Sequence, residues 1–251
     1  MNWKKVKKAA ALVTLSVIWV VLIGFVEKKG QEKTFQKVEI DLEAVSGVYF
    51  VEEKEIATLI SQSFPELKPG LPATQIPLAE VEKRLIGHPF IKKAEASVGQ
   101  KGILKVEIEQ HEPIARIARP MAADGYITTD GLIIPTSSSY TSRVLILEGD
   151  YAEQLMNQGS LEGMPELMPL IEYITGDEFW KAQITELEIR KRNDIRLHQQ
   201  VGKQVIEFGD GFDIESKFDR IEVLYQEILP RKGWNAYDRI SVKFKNQIVC
   251  E

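Results

Sequence analysis

From Ala9 to Val26 the chain carries no charge, and Leu12, Val13, Leu15, Val17, Ile18, Val20, Val21, Leu22, Ile23 and Phe25, with Trp19 among them, put apolar side chains on every side of a helix instead of along one stripe. As a helix the run rises about 27 Å at ~1.5 Å per residue, close to the ~30 Å hydrocarbon core of a bilayer. The pattern predicts a membrane span at 9–26, preceded by a tail at 1–8 that holds Lys4, Lys5, Lys7 and Lys8. A cleaved leader has an apolar region of ~7 to 15 residues ending in small residues. Here the end reads Leu22-Ile23-Gly24-Phe25-Val26-Glu27, so a retained anchor is expected. The lysines predict a cytoplasmic amino terminus, although Lys28, Lys29 and Lys33 beyond the span reduce the asymmetry.

Residues 35–42 mix apolar and charged positions as a strand does. From Glu52 the period changes, with Ile56, Leu59, Ile60 and Phe64 on one side of a helix that Pro65, Pro69, Gly70 and Pro72 stop. A second helix follows Pro77, with Leu78, Val81 and Leu85 on one face. Ala94, Ala96 and Val98 then alternate with polar residues, 99–102 turn the chain, and Leu104, Val106 and Ile108 alternate with Lys105, Glu107 and Glu109. This order predicts two helices against one face of a three-stranded sheet.

Farther on, 126–135 read as two short strands about Asp130-Gly131, and 144–147 as a buried strand. Leu155, Met156, Leu167, Leu170, Ile171 and Ile174 predict helix, interrupted near 159–165. Strands are expected about 184–189, 195–197 and 205–208, then a helix through Phe218, Ile221, Leu224, Tyr225 and Ile228. Ile240, Val242 and Phe244 alternate with Ser241, Lys243 and Lys245, predicting a late strand that 248–250 continue.

The 251 residues are 44% hydrophobic and 27% charged, which excludes collagen-like, disulfide-framework and wholly disordered chains. Setting aside the four lysines of the first 26 residues leaves 28 Lys and Arg (32 less 4) against 37 Asp and Glu, a formal net charge of −9. An acidic exterior argues against a nucleic-acid partner. The lone Cys250 cannot form an intrachain disulfide. His88, His111 and His198 lie in no spacing suited to a metal, and no nucleophile elbow, P-loop or dinucleotide fingerprint is present. No catalytic residue, metal, cofactor or small-molecule substrate is therefore expected. Gly209-Asp210-Gly211 with Asp213 reads as a strand-to-helix turn, and Lys181, Arg190, Lys191, Arg192 and Arg196 as either an acidic-partner contact or a solvated face.

The stretch from Leu85-Ile86-Gly87-His88-Pro89-Phe90 to Ala94, the hairpin after it, and Glu109-Gln110-His111-Glu112-Pro113-Ile114-Ala115 resemble the end of the POTRA domain in the FtsQ/DivIB family of single-span bacterial cell-division proteins. The 126–135 hairpin, the 202–209 strand, the Lys217 helix, Trp234, Tyr237-Asp238 and the closing strand resemble that family's second, β-rich domain. The resemblance implies an α+β chain: one transmembrane helix, a POTRA-like β-α-α-β-β domain at 35–116, and at 117–251 a β domain with helices on an antiparallel or mixed sheet. It implies a non-catalytic divisome scaffold, single-pass type II in the inner membrane, with its bulk periplasmic and concentrated at the septum. Such a scaffold links early and late division proteins and binds FtsB and FtsL. Carried over by position, Lys243, Phe244, Lys245, Asn246, Gln247, Ile248 and Val249 form the contact strand, flanked by Trp234 and Tyr237.

Edge physics supplies a means, since unpaired N–H and C=O groups on a border strand can be completed by another chain. With the chain ending at Glu251, the closing strand is the expected border. An interior strand is the alternative. Other readings of the whole are a POTRA-bearing envelope transport or assembly module and, behind it, an anchored envelope enzyme.

Overall fold

A computed structural model describes residues 14, 15, 17–19, 33–45, 47, 49–137 and 140–251. Leu15, Ile18 and Trp19 are helical and more than half exposed. Leu12, Leu22, the tail at 1–8 and most of the expected span lie outside the described residues, and among those described no helix is long and apolar enough to cross a membrane. The chain divides into two compact units, Met1–Gln110 and His111–Glu251.

In the first unit, β1 (Lys37–Leu42) leads through α1 (Glu53–Ser63) and α2 (Leu78–Ile86) to β2 (Ile91–Val98) and β3 (Ile103–Gln110). The strands lie in the order β1-β3-β2, with β1 parallel and β2 antiparallel to β3. Glu53 and Glu55 in the first turn of α1 favour the positive end of its dipole. The apolar stripe read from sequence is the buried one: Ile56, Ile60, Val81 and Leu85 close on Leu104, Val106 and Ile108, all 2% exposed or less. Each such side chain contributes about 1.5–3 kcal/mol by leaving water. Buried Gln110 ties the segment after β1 to β3. Its Oε1 accepts from the Phe50 and Val51 N–H groups at 2.8 and 3.2 Å, and its Nε2 donates to the Glu43 carbonyl at 2.9 Å.

The second unit is one nine-stranded sheet. Its elements are β4 (Pro113–Ile117), β5 (Gly125–Thr128), β6 (Ile133–Pro135), β7 (Leu145–Glu148), α3 (Asp150–Gln158), α4 (Leu167–Gly176), α5 (Glu178–Gln183), β8 (Ile184–Lys191), β9 (Asp194–Gln199), β10 (Val205–Gly209), α6 (Ile214–Val223), a π-helical turn (Leu224–Ile228), α7 (Leu229–Lys232), β11 (Arg239–Ser241) and β12 (Val249–Cys250). The strand order is β12-β11-β10-β9-β8-β7-β4-β5-β6. Because β4 pairs with β5 and β7, residues 113–116 belong to this sheet and not to the first domain, where the sequence reading placed them.

Alternation sorts the sheet into two faces. Leu147, Leu187, Ile189, Ile195, Leu197, Ile206 and Phe208 share the apolar core with Leu155, Leu170, Ile171, Ile174, Phe218 and Ile221 of the helices. Glu148, Glu186, Glu188, Arg196, His198 and Glu207 project from the alternate positions, on the other face. Helix α5 escaped the sequence reading. Six residues are too few for a period to accumulate, and the helix is set by its cap, where Asp177 Oδ1 accepts from the Trp180 N–H at 2.9 Å.

Candidate partner interface

The strand expected over 240–249 is not one strand. Beyond Ser241 the chain leaves β11, turns through 244–247 and returns as the two residues of β12, antiparallel to β11. Asn246 sits at the corner with φ +59°, a left-handed conformation that asparagine tolerates better than most residues. The Val242 N–H donates to the Glu207 carbonyl at 3.1 Å, holding the departing chain against β10. The chain's own residues thus cover the outer side of β11, and β12 becomes the border.

How much border remains follows from the ladder. Arg239 and Glu251 exchange both backbone bonds, at 3.1 and 2.9 Å. Antiparallel pairs alternate between bonded and non-bonded, so Ile240 and Cys250 form the non-bonded pair. The N–H and C=O of Cys250 therefore point away from β11. Burial raises the pKa of its thiol, which suits a packing role for the side chain.

The nine predicted contact residues separate here. Phe244 is 53% and Val249 36% exposed, while Lys245 and Gln247 are exposed and Lys245 Nζ lies 3.9 Å from Asp213. Ile248 and Tyr237 pack against the core, so they support the border more than they present it. Trp234 is 40% exposed and stands 5.8 Å from the Tyr225 ring. It precedes β11 whereas Phe244 follows it, so the two aromatics flank opposite ends of a short strand. Phe179, which sequence reading missed, is 54% exposed and meets the Tyr225 ring edge-on at 6.1 Å. Tyr225 itself is buried, donates its hydroxyl to Gln199 and has its phenol pKa raised by burial.

Lys243 does not act as a free edge lysine. Its Nζ is 2.8 Å from Glu207, whose side chain is 9% exposed and which Arg239 approaches at 3.6 Å. The Lys243 hydrogen bond, opposed by burial and helped by the charges of Lys243, Arg239 and Arg196, holds the Glu207 carboxyl below its usual range. The arginines of the basic segment are likewise engaged within the unit: Arg192 binds Glu166 at 2.7 Å, Arg190 lies 3.7 Å from Glu188, and Arg196 lies 3.5 Å from Asp194.

The histidines are dispersed. His88 is 3.4 Å from Glu55, and His111 Nδ1 is 3.2 Å from Asp130. On the polar sheet face, His198 Nε2 lies 3.7 and 3.6 Å from Glu186 and Glu188, beyond hydrogen-bond length. Among the described residues no group of three or more His, Cys, Asp and Glu could hold a metal ion. Burial first, then the hydrogen bond and charge of Glu148, then the charge of Glu188, push Glu186 up from 4.5 to about 7.

Between those pH values the folded state binds more protons than the unfolded, so the contribution of Glu186 to stability falls as pH rises through the window. With its side chain one-quarter exposed, screening reduces the effect to about 1–2 kcal/mol. Glu186→Gln is expected to flatten the stability difference between pH 6 and pH 8 and to stabilise the fold at pH 8. Denaturant titrations at both values check this, and an unchanged difference would refute the assignment.

Residues 112–251, nearly all of the second unit and more than half of the chain, match the family model described as FtsQ/DivIB, C-terminal related. No curated protein matches the sequence. The matched region holds the mixed sheet, its helical cover and the β11-β12 border. The chain therefore belongs to the FtsQ/DivIB family, cell-division proteins that act at the septum with other division proteins.

Proposed function

We propose that this chain is a non-catalytic scaffold of the division machinery, anchored in the inner membrane by one span at 9–26, with residues 1–8 cytoplasmic and the remainder of the first unit and all of the second periplasmic. It links early and late division proteins, holding FtsB/FtsL-type partners by strand addition at the outer side of β12. The β-α-α-β-β order of the first unit supports a POTRA-like domain there. The observation that carries the partner reading is the outward N–H and C=O of Cys250, flanked by exposed Phe244 and Val249.

Magnitudes decide how such a border works. Two backbone bonds contribute about 1–3 kcal/mol net, while micromolar binding requires ~8 kcal/mol. Apolar contact on Phe244 and Val249 must therefore supply most of the affinity, with the backbone fixing register. Membrane anchoring of both proteins raises the effective concentration and lowers the affinity each contact must reach.

Cys250→Pro removes the outward N–H without breaking a bond to β11, and Phe244→Ala removes an exposed ring. Each is expected to cut co-purification of small single-span coiled-coil partners from crosslinked cells by at least about tenfold, the shift that ~1.4 kcal/mol produces. Thermal melting should move by only a few degrees. Retention of the partners by both folded variants would overturn the strand-addition reading.

A further inference from the structure

The first unit carries a longer open border than the second. β1 has six residues and pairs only with β3, and among the described residues no backbone bond reaches its outer side. The Glu43 N–H donates to the Ile108 carbonyl at 2.9 Å. In a parallel ladder that bond turns the N–H and C=O groups of Leu42, Ile40 and Val38 outward, three residues against one at β12. On the opposite border one outward group is occupied, where the Ala96 N–H of β2 donates to Glu82 Oε1 of α2 at 2.8 Å. Such side-chain plugs are how sheets block unwanted pairing, and β1 has none among the described residues.

Side chains indicate what would fit. Val38, Ile40 and Leu42 remain only half-buried on the helix side, so an added strand with apolar residues there would complete their cover. On the other side Lys37, Glu39 and Asp41 are exposed, and Asp41 joins Glu43, Glu95, Glu107 and Glu109 in lining a hollow of about 320 Å³ around Lys93. Lys37 on the same row lies 3.7 Å from Glu39, Lys92 pairs with Glu109 at 3.2 Å, Lys93 with Glu95 at 2.5 Å, and Lys105 is divided between Asp41 at 3.5 Å and Glu107 at 2.6 Å, so four lysines face six carboxylates and acid remains in excess. Cross-strand neighbours stand ~4.5–5.5 Å apart, so the facing residues of a guest would be cations. Pairing by a second copy would instead bring two acidic exteriors together and set Glu39 near its own counterpart.

We propose that β1 is a second docking border, which receives an extended partner segment alternating apolar and basic residues. The site lies in the other compact unit and does not depend on the reading of β12. The full chain in detergent micelles, given a short peptide alternating lysine with valine, should show the Val38, Ile40 and Leu42 amides exchanging at least roughly tenfold more slowly. A matched glutamate-valine peptide should not slow them. The doubly substituted Glu39→Lys, Asp41→Lys chain, which alters only exposed side chains, should lose the lysine-peptide effect and gain the glutamate-peptide one. No slowing with either peptide, equal slowing with both, slowing confined to 248–251, or slowing with protein concentration alone would each overturn the proposal, the last by making a second copy the occupant.

Discussion

Gly149→Ala is expected to destabilise the second unit by about 3 kcal/mol or more, because strain and collision act together. Gly149 joins β7 to α3 with φ +104° and ψ 165°, a region open essentially to glycine alone. A Cβ there would lie 2.6 Å from the Ile189 carbonyl oxygen and 2.9 Å from its carbon, atoms of the neighbouring strand β8 that cannot swing aside. Gly159, at the end of α3, is the control. It also has positive φ, at +71°, but a Cβ there would meet nothing within 4 Å. Gly159→Ala should therefore cost only about 1–2 kcal/mol, the price of a left-handed alanine. At roughly 2–4 °C per kcal/mol for a domain of this size, the two melting temperatures should differ by several degrees. Equal losses would show that contact between β7 and β8 is looser than described.

The distinction between these glycines is invisible in sequence, since it depends on which strand lies alongside. Other features were legible for the same physical reason in reverse. Leu104, Val106 and Ile108 alternate with charged neighbours because one face of their sheet meets helices and the other meets water, and a local pattern records that faithfully. The mixed order of strands and helices after Arg116 fits the α+β class that the resemblance implied. Residues 240–249 show where a local pattern misleads. Ile240 and Val242 are fully buried, yet Phe244, next in the alternation, is 53% exposed, so the period continues past the place where the sheet stops. Asn246 was the available turn signal. The Glu207 contacts that hold Val242 and Lys243 in place join residues more than thirty positions apart and leave no local trace.

Of the candidate interface, the sequence reading named the segment that contains the border strand β12 but not its shape. Phe244 and Val249 are presented, Ile248 and Tyr237 are packed inward, and Phe179 lies in a helix too short to announce itself. Under the proposed strand addition the backbone offer of this border is small, so partner choice would rest on a few exposed side chains.

A turn near that border is anchored on a buried lysine, and Asp210→Ala is expected to cost about 3 kcal/mol while Lys217→Met costs about 1 kcal/mol. Lys217 is 4% exposed, donates to the Asp210 carboxylate at 2.6 Å and to its carbonyl at 2.8 Å, and lies 4.6 Å from the centre of the Phe208 ring. Removing the carboxylate leaves a buried ammonium short of its counter-charge, whereas removing the ammonium leaves a carboxylate that is 47% exposed and keeps its water. Burial raises the Asp210 pKa, but the Lys217 and Phe212 hydrogen bonds and the Lys217 charge outweigh it and hold the group below 3.8. Its stabilising contribution is thus present above that value and lost as pH falls through the lowered one, and Lys217→Met should weaken this acid sensitivity. Asp213, in the same turn, lies 3.9 Å from Lys245 beside the terminal corner. Loosening the turn with Asp210→Ala should accordingly speed exchange of the Arg239 and Glu251 amides that tie β12 to β11, and Lys217→Met should leave them protected. If both variants behave alike by denaturation and by exchange, the pair is an incidental surface contact and the support of the border must come from elsewhere in the sheet.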